Sequence, residues 1–360
     1  MRILIVSGDF YPNNSPRSFR TTELVKELSK QGHDITIYIP KLQYDYSEFI
    51  SRYPIKICHY ERTFEKRKYL GVGIIDRIIF YIRNRFFSYP QNQITPKLKR
   101  VINKESGYDL LISIAYPHSI HWAIGDLYKK GQNIAKKWIA DCGDPFMLVD
   151  SGNHRPPFYF QWKEKNWCRL CDHISVPTKT SYKGYYPEFR NKIEIIPQAF
   201  DFEEIKLRKY VKNNIPTFAY SGVFIPGRRD PRPLLDFLYK SDIDFKFIIY
   251  TKQHSMLSEY KDKLGDKIEI KDYIPRLQLI ENLSTMDFLL NLENGTDVQT
   301  PSKLIDYALT QRPILSLDSN NLDTEKLSEF LNCNYSKQRI IADLEQYNIK
   351  KVAKQFIDLV

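Results

Sequence analysis

Short apolar runs rich in β-branched residues alternate with longer amphipathic stretches, and the whole pattern occurs twice along the chain. That alternation demands a parallel sheet covered by helices, because parallel strands need crossover segments and bury both of their faces. In the first half the expected strands are Arg2 to Ser7, Asp34 to Ile39, Ile55 to His59, Leu110 to Ile114, Trp138 to Asp141, His173 to Pro177 and Ile193 to Ile196. Arg17 to Gln31 repeats apolar residues at helical spacing until Gly32 stops it, which makes a first βαβ unit. In the second half the expected strands are Thr217 to Ser221, Phe245 to Tyr250, Ile268 to Ile270, Phe288 to Leu292 and Ile314 to Leu317. Expected helices there are Pro231 to Tyr239, Met256 to Leu264, Leu277 to Ser284, Ser302 to Leu309 and Thr324 to Phe330.

At 360 residues the chain exceeds the usual reach of one core, so two α/β domains are expected. The division falls at residues 1–197 and 198–344, with a closing helix in 345–360 able to pack back on the first domain. Loops at the carboxyl ends of the two sheets are where such folds hold ligands. No apolar run approaches the ~20 residues that span a bilayer, and Met1 to Ser7 reads as a buried strand, so a cytoplasmic chain is expected. Five cysteines with a lone C-x-x-C at Cys168 and Cys171 suit reduced thiols and no metal site.

The stretch Thr300 to Leu315 reads as a helix start aimed at an anion. Pro301 and Ser302 offer a first turn and a cap, Lys303 adds a cation beside free amides, and Asp306 follows one turn later. Phosphate oxygens suit the amides and lysine, and ribose hydroxyls suit the carboxylate. A second cationic loop, Tyr220 to Arg232, carries Gly222, Arg228 and Arg229 just past an expected strand, and guanidinium matches a diphosphate.

The first block resembles the lysine, leucine, acidic, tyrosine and proline-isoleucine motif of retaining glycosyltransferases of the two-domain GT-B fold, the family-four-like group. The Gly222 loop is similar to the diphosphate loop of that group, with Val223 where an arginine often stands. Tyr11-Pro12 to Arg20 resembles its first loop, with Ser15 and Pro16 in place of a glycine pair and Arg17 and Arg20 as polar candidates. Tyr116-Pro117-His118-Ser119 and Asp141-Cys142-Gly143-Asp144-Pro145 resemble its paired proline-histidine-serine and aspartate blocks. Ile196-Pro197-Gln198-Ala199-Phe200-Asp201 is similar to its interdomain block, with Gln198 and Ala199 departing from it. An upstream acidic partner for Asp306 is replaced by Val298, with Asp297 beside it.

What the resemblance implies is a GT-B architecture of two Rossmann-like domains facing a central cleft. The C-terminal one would bind a nucleotide-diphosphate sugar, most naturally a UDP-sugar, through Gly222, Arg228, Arg229, Ser302, Lys303 and Asp306. The N-terminal one would bind a lipid-linked or glycan acceptor through Ser15, Arg17, Arg20, His118, Asp141 and Asp144. Transfer would proceed with retention and without a metal or resident cofactor. Two other readings stay open: a nucleotide-sugar 2-epimerase of the same fold, and a membrane-docked sugar-nucleotide binder with no catalysis.

The net charge of +11 is concentrated. Arg62 to Lys104 holds eleven basic side chains against Glu65 and Asp76, interleaved with isoleucines and aromatics. This density of apolar residues suits an anionic membrane surface better than nucleic acid, so a peripheral, inner-face location is expected.

Overall fold

The computed structural model describes residues 1–61, 74–88, 90–148, 156–293 and 302–360, apart from the side chains of 74–76 and 302. Two compact units emerge: Met1–Phe200 with Asn348–Val360, and Asp201–Tyr347.

The first unit runs β1 (Arg2–Ser7), α1 (Pro16–Lys30), β2 (Asp34–Pro40), α2 (Ser47–Arg52), β3 (Lys56–Tyr60), α3 (Ile74–Phe87) and α4 (Ile94–Ile102). It continues with β4 (Tyr108–Ala115), α5 (Ser119–Lys129), β5 (Ala135–Cys142), α6 (Phe160–Leu170), β6 (His173–Val176) and β7 (Ile193–Ile195). The seven strands form one parallel sheet in the order β3-β2-β1-β4-β5-β6-β7. Central position explains the composition of β1, whose residues Ile3 to Val6 are all fully buried. Leu4 and Val6 pack under Leu98, Ile124 and Trp167 on one face, while Ile3 and Ile5 meet Leu24 and Leu28 on the other.

The second unit holds β8 (Thr217–Ser221), α7 (Arg232–Lys240), β9 (Lys246–Tyr250), α8 (Ser258–Leu264), β10 (Ile268–Lys271) and α9 (Arg276–Leu283). It ends with β11 (Phe288–Leu292), α10 (Ser302–Leu309), β12 (Ile314–Leu317) and α11 (Thr324–Leu331). Its five parallel strands follow the order β10-β9-β8-β11-β12. One face is an aromatic ladder: Phe218 of β8 stacks on Phe247 of β9 at 4.4 Å and on Phe288 of β11 at 4.6 Å. The opposite face takes Leu304 and Tyr307 of α10 against Ala219 and Leu289.

The chain then returns to the first unit. Asn348 caps α12 (Ile349–Ile357) by accepting from Lys350 N, and Ile349 N donates to the Phe200 carbonyl. Val352, Ala353 and Phe356 join the cluster formed by Ile3, Ile5 and α1.

The doubly built parallel α/β architecture expected from the alternating pattern is present. Strands β4 and β5 run longer than the apolar windows suggest, because backbone pairing from Tyr108 and Ala135 onward continues past the side-chain signal. Helix α8 starts later than expected, at Ser258, after a separate tight turn over His254–Met256.

Candidate functional site

In each sheet all strands are parallel, so the loops following them gather at one edge. In the second unit β8 delivers Tyr220 and Ser221 to that edge, and Gly222 turns the chain with φ +147 while its N–H donates to Tyr250 O at 3.0 Å. The turn then closes on itself: the N–H groups of Arg228 and Arg229 both donate to Ile225 O, at 3.0 and 2.8 Å. Arg228 is exposed and Arg229 half-buried.

Helix α10 approaches the same place. The Tyr307 hydroxyl accepts from Ser221 N at 2.8 Å, pinning α10 to the end of β8. One turn earlier, Lys303 Nζ lies 4.6 Å from the centroid of the Tyr220 ring. Arg229 approaches that tyrosine too, and its charge acts on Lys303. Burial, with Arg229 second, pushes the Lys303 ammonium down to about 7. Among the described residues, Arg229 Nε and Lys303 Nζ are buried with no hydrogen-bond partner. Two converging cationic side chains with unmet donors form a place for a multivalent anion. The convergence on Tyr220 was not visible in the sequence.

Asp306 is expected without the usual acidic residue upstream, where Val298 stands; residues 297 and 298, like Pro301, lie outside the described residues. The carboxylate is paired with a base: Arg276, opening α9, donates from Nε at 2.8 Å and Nη2 at 2.5 Å. Both bonds fall on Oδ1. Burial raises the Asp306 carboxyl, and Arg276 partly offsets that. Ser302 opens α10 as expected, though its side chain is not among those described.

In the first unit the loops after β1, β4 and β5 meet. A side chain at Gly8 would lie 2.4 Å from Pro117 Cδ, so only glycine lets the β1 loop touch the β4 loop. Three of the residues expected at the ligand are engaged by the fold here. Arg20 is 3% exposed and donates to both Asp141 oxygens, from Nε at 3.2 Å and Nη2 at 2.7 Å, and to the carbonyls of Ile196 and Pro197. Asp141 is 1% exposed and accepts from Ser175 Oγ at 2.7 Å as well. Burial opposes its charge most strongly of any single cause, but the Arg20 guanidinium, Arg17 and the Ser175 hydroxyl together hold the carboxyl below its usual range. This pair fastens the sheet together. Ser15 caps α1 by accepting from Ser18 N at 3.0 Å and donates to Asp9, so its hydroxyl serves the fold.

Arg17, His118 and Asp144 remain at the edge. The Arg17 guanidinium lies so close over Gly143 that a side chain there would collide with it at 2.0 Å. His118 is buried to 7% exposure with Nδ1 unpartnered, and burial pushes it down to about 4, with Asp144 pulling the other way. It is a neutral imidazole next to an exposed carboxylate. His121 is structural by its bonds: Nδ1 meets Ser113 Oγ at 2.8 Å and Nε2 meets Cys142 Sγ at 3.3 Å.

Ligand-type atoms of His118, His121 and Cys142 lie within 4.8 Å of one another, a grouping that sequence spacing did not suggest. Burial raises the Cys142 thiol well above its ordinary value, which opposes the thiolate a metal needs. Cys168 and Cys171 are buried and free, and burial pushes Cys171 up to about 12.

No family model and no curated protein matches the chain. Solved structures do match. The E. coli trehalose-6-phosphate protein bound with UDP-2-fluoro glucose superposes with TM-score 0.65 at 11% identity, over 100% of this chain and 99% of that one. The lipopolysaccharide outer core galactosyltransferase WaaB gives 0.61 at 11%, over 100% and 99%. Anabaena HepE in complex with UDP gives 0.62 at 9%, over 99% and 99%. The fold is GT-B.

On this GT-B chain the basic segment includes α3, whose Ile78, Ile79, Tyr81, Ile82, Phe86 and Phe87 are all exposed. Arg77 and Arg83 are exposed on the same helix. Residues 62–73 lie outside the described residues. Among the described residues, no helix is long and apolar enough to cross a membrane.

Proposed function

We propose that the protein is a glycosyltransferase that moves a sugar from a UDP-sugar to a lipid-linked or polysaccharide acceptor with retention, at the cytoplasmic face of a membrane. The carrying observation is the convergence of Arg229 and Lys303 on Tyr220 at the carboxyl end of β8, with buried donors unmet. Those cations would stabilise the charge that grows on the diphosphate as the glycosidic C–O bond breaks, an electrostatic task needing no metal or cofactor. Gly222 and the Arg228 to Arg229 turn would admit the diphosphate, α10 from Ser302 would face it, and Asp306 would accept from ribose hydroxyls through Oδ2.

The acceptor role falls to the first unit. His118, neutral with a free Nδ1, would bond a sugar hydroxyl, while Asp144 and Arg17 would orient the acceptor. Arg20 and Asp141 would support that edge from beneath. The acceptor hydroxyl forms the new C–O bond on the face the diphosphate leaves, and its proton passes to the departing phosphate. The exposed apolar and basic surface of α3 supports a membrane-bound acceptor.

Incubation with a panel of nucleotide sugars and a membrane lipid extract tests the reading. Sugar entering the lipid or glycan fraction from a UDP donor, with unchanged anomeric configuration and no loss on chelation, is the expected result. A free donor altered at its sugar would make the protein an epimerase. Binding without turnover would make it a sugar-nucleotide binder.

A further inference from the structure

A cavity of about 500 Å³ opens in the first unit where the end of α3 meets the starts of α4, α5 and α6. Trp122 and Phe160, stacked at 5.5 Å, form part of its wall. Phe87 and Trp162, 59% and 57% exposed, stand among its lining residues as large apolar surfaces open to solvent. The Tyr159 hydroxyl donates to the Phe86 carbonyl, tying α3 to α6 beside it.

Two features separate this cavity from an ordinary packing gap. Trp122 is 4% exposed, yet its indole N–H is a buried donor with no partner, and the buried Asn92 Oδ1 lacks one too. Both residues line the cavity. The mostly aromatic lining suits an apolar ligand, and the basic surface beside it suits a polar group carried at that ligand's end. Charge indicates the sign of that group. Lys163 belongs to the lining, Lys129 and Lys163 flank the Trp162 ring at 5.1 and 5.4 Å, and α3 adds Arg83 and Arg85.

We propose that this cavity takes the hydrocarbon chain of a phosphate-bearing lipid, with the phosphate held at the basic surface of α3 and Lys163. At roughly 30 Å³ for a water-sized group, a space of about 500 Å³ holds on the order of 17 such groups, enough for a dodecyl chain. The exposed apolar face of α3 would rest on the membrane, and the cavity would draw one chain out of it. The inference rests on the lipid-facing reading of α3. It needs neither donor binding nor turnover.

The test uses the full chain with soluble alkyl phosphates held below their micelle concentrations, so that no membrane is present. Affinity should rise roughly tenfold for every two methylenes from octyl to dodecyl phosphate, and the Trp122 indole N–H resonance should move on binding. Thr95→Phe, which fills the cavity from α4, should abolish the dependence on chain length. Phe87→Ser, at an exposed lining position, provides a second variant with little risk to folding and should weaken dodecyl phosphate at least tenfold. Butyl phosphate binding as tightly as dodecyl phosphate would overturn the proposal, as would unchanged chain-length dependence in both variants. Comparing farnesyl with dodecyl phosphate assigns the source: preference for the branched chain indicates an isoprenoid-carried acceptor, and preference for the straight chain indicates a membrane phospholipid. Failure here leaves the donor reading intact, because UDP binding to the second unit is measured without lipid.

Discussion

Arg20 and Asp141, 121 residues apart, form a two-point ion pair in which both side chains are at most 3% exposed. The guanidinium joins the first helix to the ends of β5 and β7, and its face lies 5.2 Å from the Phe356 ring of the returning α12. A buried pair of this kind is most sensitive to the loss of one partner, since the other is left charged and dry. Arg20→Met should therefore cost ~3–5 kcal/mol in chemical denaturation. The double variant Arg20→Met with Asp141→Asn should recover much of that loss. A single variant as stable as the wild type would show that the pair does not hold the sheet.

Lys303 gives UDP binding a pH signature. The free protein holds its ammonium at about 7, through burial first and Arg229 second. A bound diphosphate would raise that value. Full affinity is then present below pH 7 and falls as pH rises through it, by at most about tenfold per unit until the bound-state value is reached. Calorimetry at pH 8 in buffers of different ionisation enthalpy should register proton uptake on binding. Lys303→Ala should bind UDP more weakly at pH 6.5 and show no such uptake. Arg229→Ala should raise the free Lys303 value and flatten the slope between pH 7 and 8.

Glu164 makes the stability of the first unit depend on pH in the opposite sense to a paired carboxylate. Burial raises it from 4.5 to about 7, and its Oε2 is a buried atom with no partner. Below pH 4.5 both folded and unfolded forms carry the proton, so the full stability is present. As pH climbs from 4.5 towards 7 the unfolded form ionises first, and stability falls by on the order of 3 kcal/mol. Glu164→Gln should remove that fall. Denaturation midpoints compared at pH 5 and pH 7.5 measure it, and an unchanged slope in the variant would refute the assignment.

These groups mark where reading from sequence stops. The strands were legible because β-branched runs such as Ile3 to Val6 and Phe288 to Leu292 occur between turns, and central parallel strands require them. The residue types of the second unit were also legible, since Arg229 and Lys303 each follow an element boundary. Their meeting over Tyr220 was not, because it depends on how α10 lies against β8. The same limit applies to Arg20, a polar candidate at a loop whose carboxylate partner is one that only sheet formation brings near. It applies to Arg276 too, which pairs with Asp306 from the neighbouring helix α9 and has no place in the motif spacing around Asp306.

The Asp306 and Arg276 pair separates a ribose role from a phosphate role. Arg276 donates twice to Oδ1 of the carboxylate, and Oδ2 is the oxygen assigned to ribose. If Oδ2 accepts from ribose, Asp306→Ala should weaken UDP by roughly tenfold to a hundredfold, the range for hydrogen bonds to a charged group. It should leave inorganic pyrophosphate unaffected, because that ligand has no ribose. Lys303→Ala should weaken both ligands alike. Arg276→Ala should raise the Asp306 carboxyl further, since the guanidinium is what opposes its burial. UDP affinity of that variant should then decline as pH falls through the raised Asp306 value, against the trend set by Lys303 in the wild type. Equal loss of UDP and pyrophosphate in Asp306→Ala would place the carboxylate among the phosphate contacts and remove the ribose assignment.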